Sequence, residues 1–375
     1  MRRIRTLSGV CAASALLMLA VAPTSALAGG PHDNHKSSIK VLLKGLSSPK
    51  GLASVHGSLI IGQGAFTPPP GAPVLQYHLR GPKKGTTTPL TKPVNLTDIA
   101  VSPKDGTGWG ISGPKLLHQL KNGTIKTVLD IGAYQKTDPD PIDHDQPPNP
   151  TESNPYGLTV DRWGNALVAD AAGDDVIRVT PAGHAVTVAR FDLQSIKTNH
   201  LPADFKFPGG PIPPKFDAEP VPTTVTIGPD GAIYVGELKG FPFRPGTSNI
   251  WKIKPHAKNA WCSVNKPDPT RSCSLYSKGY TAIQDITFDR HGRLYVYELA
   301  KAGVLAFEPA LDPSSGKPFP AAVLLKVTKS KHHEWRTELA KGKLSQPGGV
   351  VVNGGTVYVT DGVFTSGRLS KIIGG

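Results

Sequence analysis

The sequence predicts an all-β chain on three observations: a short pattern of paired apolar runs returns six times, the copies are unevenly spaced, and a spare apolar run precedes the first copy. Together they specify a six-bladed β-propeller of four-stranded antiparallel blades, the ring closed by an N-terminal strand.

The repeating unit is a short apolar run, a tight turn, and a second run that ends on a polar residue. The first copy reads Gly51-Leu52-Ala53-Ser54-Val55, then Leu59 to Gln63. The second pairs Asp98 to Val101 with Gly108 to Ser112, and the third pairs Tyr156 to Val160 with Ala166 to Asp170. The fourth joins Thr224 to Ile227 and Ile233 to Glu237; the fifth joins Asp285 to Phe288 and Leu294 to Glu298; the sixth joins Gly349 to Val352 and Val357 to Asp361. First runs this short and this apolar suit strands buried on both faces. Pro229-Asp230-Gly231, His291-Gly292 and Asn353-Gly354-Gly355 supply hairpin turns. Further strands follow, such as Asp175 to Val179, Ala185 to Ala189 and Asn249 to Ile253.

The anchors of successive copies lie 47, 59, 67, 61 and 64 residues apart. A stacked solenoid needs near-constant repeats, whereas a closed ring tolerates insertions. Closure needs a partner for the last edge, and Ile39 to Leu43 is expected to pair with the last blade. The proline-rich stretches Asp138 to Pro155 and Thr198 to Pro222 carry interspersed apolar residues and read as structured loops. Ala310 to Pro320 reads as an ordinary surface loop.

Residues 1–28 read as a secretory signal peptide: Arg2, Arg3 and Arg5, an apolar stretch from Leu7 to Ala22, and the small-x-small pattern Ala26-Leu27-Ala28. The remainder, 29–375, is expected to form one propeller domain, secreted and monomeric, with no membrane span. Removing three arginines lowers the net charge from +14 to +11. A basic exported chain adheres to anionic surfaces, and anionic cell-wall polymers are an expected partner. Basic residues are spread along the chain without a recognition motif, which argues against specific nucleic-acid binding. Cys262 and Cys273 are expected to form a disulfide outside the cell.

Several stretches resemble the ScyD/ScyE family of secreted propellers. They are Ser153-Asn154-Pro155-Tyr156-Gly157-Leu158 with Ala169-Asp170-Ala171-Ala172, Ala218-Glu219-Pro220-Val221-Pro222-Thr223, Val235-Gly236-Glu237-Leu238, and Gly240-Phe241-Pro242-Phe243. The third and fourth copies also look like NHL repeats. The resemblance implies the propeller and its innermost first strands, and transfers no biochemical activity.

Candidate site residues follow from topology. In an antiparallel meander, second-strand ends and first-strand starts lie at one end of the blade. That face holds Gln63, Ser112, Asp170, Glu237, Glu298 and Asp361, with Asn95, Asp98, Asn154, Glu219, Gln284, Asp285 and Gln346. Carboxylates at strand ends also close turns by accepting backbone N–H groups, so both readings stand. An oxygen-rich rim suits Ca²⁺, with Asn154, Glu219 and Asp285 as the candidate metal set. Phe241 and Phe243 are placed to stack on a sugar or aromatic ligand, or to plug a gap between blades. Asp138, Asp140, Asp143, His144, Asp145 and Glu152 form an acidic loop without the glycine and spacing of an EF-hand. No catalytic motif is present in the sequence. The expected role is binding or scaffolding of a small molecule or protein; the alternative is a Ca²⁺-dependent hydrolase or lactonase using the channel face.

Overall fold

Each of the six apolar first runs becomes the innermost strand of a blade in the computed structural model, which describes residues 37–374 apart from 65–70, 120–122, 145–147, 204, 206, 208, 209 and 332. The proposed signal peptide lies outside the described residues. Blades 1 to 6 follow chain order, with inner strands Gly51–Val55, Asp98–Val101, Pro155–Val160, Pro222–Ile227, Ile283–Phe288 and Val350–Asn353. Successive inner strands neighbour one another round the ring, and the sixth returns to the first. Every blade adds three antiparallel strands outward. In blade 6 the outermost is Ser38–Leu46, paired with Gly367–Ile373 from the chain's other end, which closes the ring as expected.

The core is laid down between blades, because each middle strand buries both faces. Leu167 and Ala169 of blade 3 pack with Ile233 and Val235 of blade 4, and Trp109 and Ile111 of blade 2 pack with Ala166 and Val168 of blade 3. Near the axis the backbones come too close for side chains. A Cβ on Gly157 would sit 2.7 Å from the Thr223 carbonyl oxygen and the Thr224 Cα. Gly157→Ala is therefore expected to cost ~1–3 kcal/mol in a denaturant titration, because backbone has no rotamer to yield; an unchanged midpoint would show that the two inner strands can separate.

Two features depart from the sequence reading. The connection between the third and fourth strands of blade 4 crosses to blade 3, where Ala260–Cys262 pairs in parallel with Ala185–Phe191. Blade 3 thus has a fifth strand that covers its outer edge. The Cys262–Cys273 disulfide, with 5.3 Å between Cα atoms, ties that strand to the outer strand of blade 4. The stretch expected to be a plain surface loop instead belongs to a helical connection, Val304–Phe307, Glu308–Leu311 and Pro313–Ser315. Its Phe307 is 1% exposed, since it packs with Phe319 and Phe364 over the end of the ring.

At one end of the ring lie tight first-to-second-strand turns. There Asp289 accepts from the backbone N–H groups of His291 and Arg293, both at 2.9 Å, and Asp161 closes the equivalent turn in blade 3. The insertions 131–154, 192–221 and 299–322 fall at the opposite end, whereas the 254–272 connection of blade 4 leaves from the turn-bearing end.

Candidate functional site

The inner-strand starts place two carboxylates in the channel, on blades 2 and 5. Asp98 accepts from its neighbour Ile99 N–H and from Leu158 N–H of the next blade, each at 2.7 Å. Asp285 accepts from Thr224 Oγ1 and Ile286 N–H at 2.8 Å, and from Val350 N–H of the next blade at 2.7 Å. Both acids stitch one blade to the next. Burial raises the Asp285 carboxyl to about 6. Burial, and then the charge of Asp285, pushes Asp98 well above the usual carboxylate range. Towards the insertion-bearing end, Gln284 Nε2 donates to the Tyr156 hydroxyl at 2.8 Å, joining blades 5 and 3. The Lys50 ammonium stands 5.9 Å from the Tyr156 ring centre.

The second-strand carboxylates sit where the repeat put them, and each is engaged inside the protein. Asp170 accepts from Ser153 Oγ, the N–H groups of Asn154 and Gly173, and Gln135 Nε2. Glu237 is fully buried, with an ion pair to Lys239 at 2.8 Å and hydrogen bonds from Asn249 and the Trp251 indole. Lys239 is itself only 2% exposed. Glu298 accepts from Thr281 N–H at 2.8 Å. Asp361 holds the Arg368 guanidinium by two bonds of 2.7 Å; burial still raises its carboxyl against the pull of that cation. Gln63 plays the same part in blade 1, accepting from Ser47 N–H and donating to the Pro73 carbonyl.

Burial lifts Glu298 to about 7. A carboxyl raised on folding binds its proton more tightly in the native state, so stability rises as pH falls through the folded value. With Asp285 shifted the same way, thermal unfolding is expected at higher temperature at pH 5.5 than at pH 7.5. Glu298→Gln should flatten that dependence. A wild-type Tm independent of pH over this window would contradict these shifts.

Glu219 lies beside the buried Asp174, whose carboxyl is pushed well up by burial, then by Glu219 and Asp140. Its segment is zipped to the loop after Glu237: Leu238 N–H donates to Val221 O, Lys239 N–H to Pro220 O, and Gly240 N–H to Glu219 O, at 2.8–3.1 Å. Asn154 sits at the start of blade 3, its N–H bonded to Asp170, while Asp285 lies in the channel with both oxygens engaged. Among the described residues no group of three or more His, Cys, Asp or Glu side chains is placed to hold a metal ion.

Phe243 is buried, packing with Leu299, Val304 and Phe307 between blades. Phe241 is half-buried and becomes the hub of an aromatic cluster. Phe205 and Phe207 stack on it at 5.8 and 5.6 Å, Phe216 meets it edge-on at 4.9 Å, and Phe243 lies edge-on at 6.0 Å. The three partners come from the 198–222 insertion, whose base is a hairpin of Gln194–Lys197 and Lys215–Ala218. Beside the cluster the insertion forms a depression of about 620 Å³, lined by Leu201, Pro202, Phe205, Phe207, Pro211 and Ile212 among others, with no charged side chain among the described residues that line it. Within the acidic loop, Asp138 pairs with Arg190 and accepts from Tyr134 and Thr187, Asp140 accepts from Ile142 N–H, and Asp143 from Asn149 N–H. Asp145 lies outside the described residues.

Lys239, Gln135, Asp174 and the insertion's phenylalanines are the participants that residue patterns did not single out. Their only sequence signals are a lysine two residues after a strand-end glutamate and aromatic residues within a proline-rich loop.

The fold and this face define a six-bladed propeller with an aromatic insertion over one end. No family model matches the chain, and no curated protein matches it. Solved β-propellers do. One is a Thermus thermophilus oxidoreductase described as a glucose dehydrogenase, 14% identical over 90% of this chain and 100% of its own, with a TM-score of 0.53. A gluconolactonase from Xanthomonas campestris is 12% identical over 89% and 88%, with a TM-score of 0.50. An inactive variant of virginiamycin B lyase from Staphylococcus aureus, bound to quinupristin, is 14% identical over 90% and 99%, also at 0.50. Identities this low establish a shared fold and nothing further.

Proposed function

We propose that the chain is an exported propeller of the ScyD/ScyE type that binds a small, neutral, ring-bearing molecule on its insertion-bearing face. The observation that carries this reading is the depression beside the Phe205, Phe207, Phe216 and Phe241 cluster, whose described lining residues carry no charge. Aromatic faces take planar or sugar rings by stacking, and a concave site that offers apolar and polar atoms together suits a ring bearing hydroxyl or carbonyl groups. The segments that carry the family resemblance support the assignment, since Ala218 to Thr223 and Gly240 to Phe243 are parts of one hydrogen-bonded unit beside this depression. Export is supported by the signal-like residues 1–28 and the disulfide, which suits an oxidising compartment.

Binding is favoured over hydrolysis because the strand-end acids are occupied. Asp170, Glu237, Glu298 and Asp361 hold internal donors, and Asp285 holds Thr224 and Val350. In this reading they set the geometry of the face, and Glu219 edges the site.

A thermal-shift screen of phenols, aromatic glycosides and simple sugars tests the proposal. Hits should stabilise the wild type in a saturable way. Phe207→Ala should weaken them about tenfold, the worth of one aromatic contact, while Glu298→Gln leaves them unchanged. Equal affinity in wild type and Phe207→Ala would overturn the site. Turnover of simple lactones or esters, abolished by Glu219→Gln and by chelation, would replace binding with the metal-dependent hydrolase.

A further inference from the structure

The joint between blades 1 and 2 is packed differently from the other five. In every second strand, two residues point back towards the preceding blade. In blades 3 to 6 these are Ala166 and Val168, Ile233 and Val235, Leu294 and Val296, and Val357 and Val359; in blade 1 they are Leu59 and Ile61. All ten are buried and fill the gap between blades. In blade 2 the same two places hold Gly108 and Gly110. The alternate residues, Trp109 and Ile111, point the other way, into blade 3.

Leu96 closes over Gly110, where a Cβ would lie 3.0 Å from its Cδ2, while the space beside Gly108 is part of a cleft of about 320 Å³. Ile60 and Val74 line it from blade 1, and Leu96, Ile99, Val101 and Leu117 from blade 2 and its leading loop. Leu90 and Ile125, exposed at 37% and 41%, also line it. Gln76, Thr91 and Gln119 contribute amide and hydroxyl groups, and Trp109 also borders the cleft. No charged side chain lines the cleft among the described residues, in a chain with 42 basic and 28 acidic residues.

Protein interiors are close-packed, and a void on this scale forfeits dispersion contacts that the other five joints retain. An apolar cavity of ~150 Å³ stays dry and accepts small apolar molecules. This cleft is larger and falls at the lower end of small-molecule pockets, roughly 300–1,000 Å³. We propose that it is a second binding site, separate from the insertion, for a neutral and mainly apolar small molecule of one or two rings. The ligand's hydrocarbon body would take the space beside Gly108, with a hydroxyl or carbonyl facing Gln76, Thr91 or Gln119.

Fluorescence titration with N-phenyl-1-naphthylamine, a neutral probe that brightens in apolar surroundings, tests this directly. Wild type should bind it saturably at one cleft site per chain. Gly108→Val restores a side chain that other blades carry, and its Cβ would meet only the flexible end of Gln119, at 3.3 Å. It should weaken the probe at least about tenfold without lowering Tm. Ile60→Phe fills the cleft from the opposite wall and should do the same. Phe207→Ala, in the distant insertion, should leave this binding intact. The proposal is overturned if the wild type shows no saturable binding, or if a folded Gly108→Val or Ile60→Phe protein binds as well as wild type. It is equally overturned if Phe207→Ala alone removes the signal, which would place the probe in the insertion's depression.

Discussion

Glu237→Leu is expected to destabilise the protein by ~3–5 kcal/mol in a urea titration, the cost of leaving one charge of a buried pair alone. The substitution strands the Lys239 ammonium, 2% exposed, and removes the acceptor for Asn249 and the Trp251 indole. The double variant Glu237→Leu with Lys239→Met should recover most of the loss, because apolar replacement of a whole buried pair is often neutral. This cycle separates two roles for the strand-end acids. A structural clamp gives a severe single variant and a mild double one. If Glu237→Leu is as stable as wild type, the pair is not holding the loop that carries Phe241, and Glu237 returns to the list of ligand contacts.

Loss of the disulfide is the second large effect. Replacing Cys262 and Cys273 together with serine should cost about 3 kcal/mol, the chain-entropy value for a loop of this length. The bond spans 11 residues and fixes the added fifth strand of blade 3 to blade 4. Reduction of the wild type should lower its Tm to that of the double variant. A Tm that ignores reductant would mean that the strand pairing alone secures this connection.

The ring, its six blades and the closing strand were legible because they rest on local periodicity. Alternation and turn residues repeat within each copy, and Ile39 to Leu43 had no other partner in reach. The fifth strand of blade 3 was not legible: Ala260–Cys262 is a three-residue run whose pairing depends on a neighbouring blade's edge. The helical connection around Phe307 was missed for a similar reason, since its burial comes from Phe319 and Phe364 rather than from its own pattern. The candidate face was placed by topology alone, and its acids could be listed but not sorted. Asp170 reads the same in sequence whether it meets a ligand or the N–H groups of Asn154 and Gly173. Only the fold shows that Glu237 faces Lys239 and that Phe241 receives three phenylalanines from another loop.

Hydrogen–deuterium exchange of the protein, with and without the best ligand from the thermal-shift screen, tests the proposed binding face most directly. Protection is expected in residues 196–218 and 238–247, the insertion and the loop it packs on. Protection instead at the opposite turns, residues 161–165, 228–232 and 289–293, would contradict the assignment of the insertion-bearing end as the functional one.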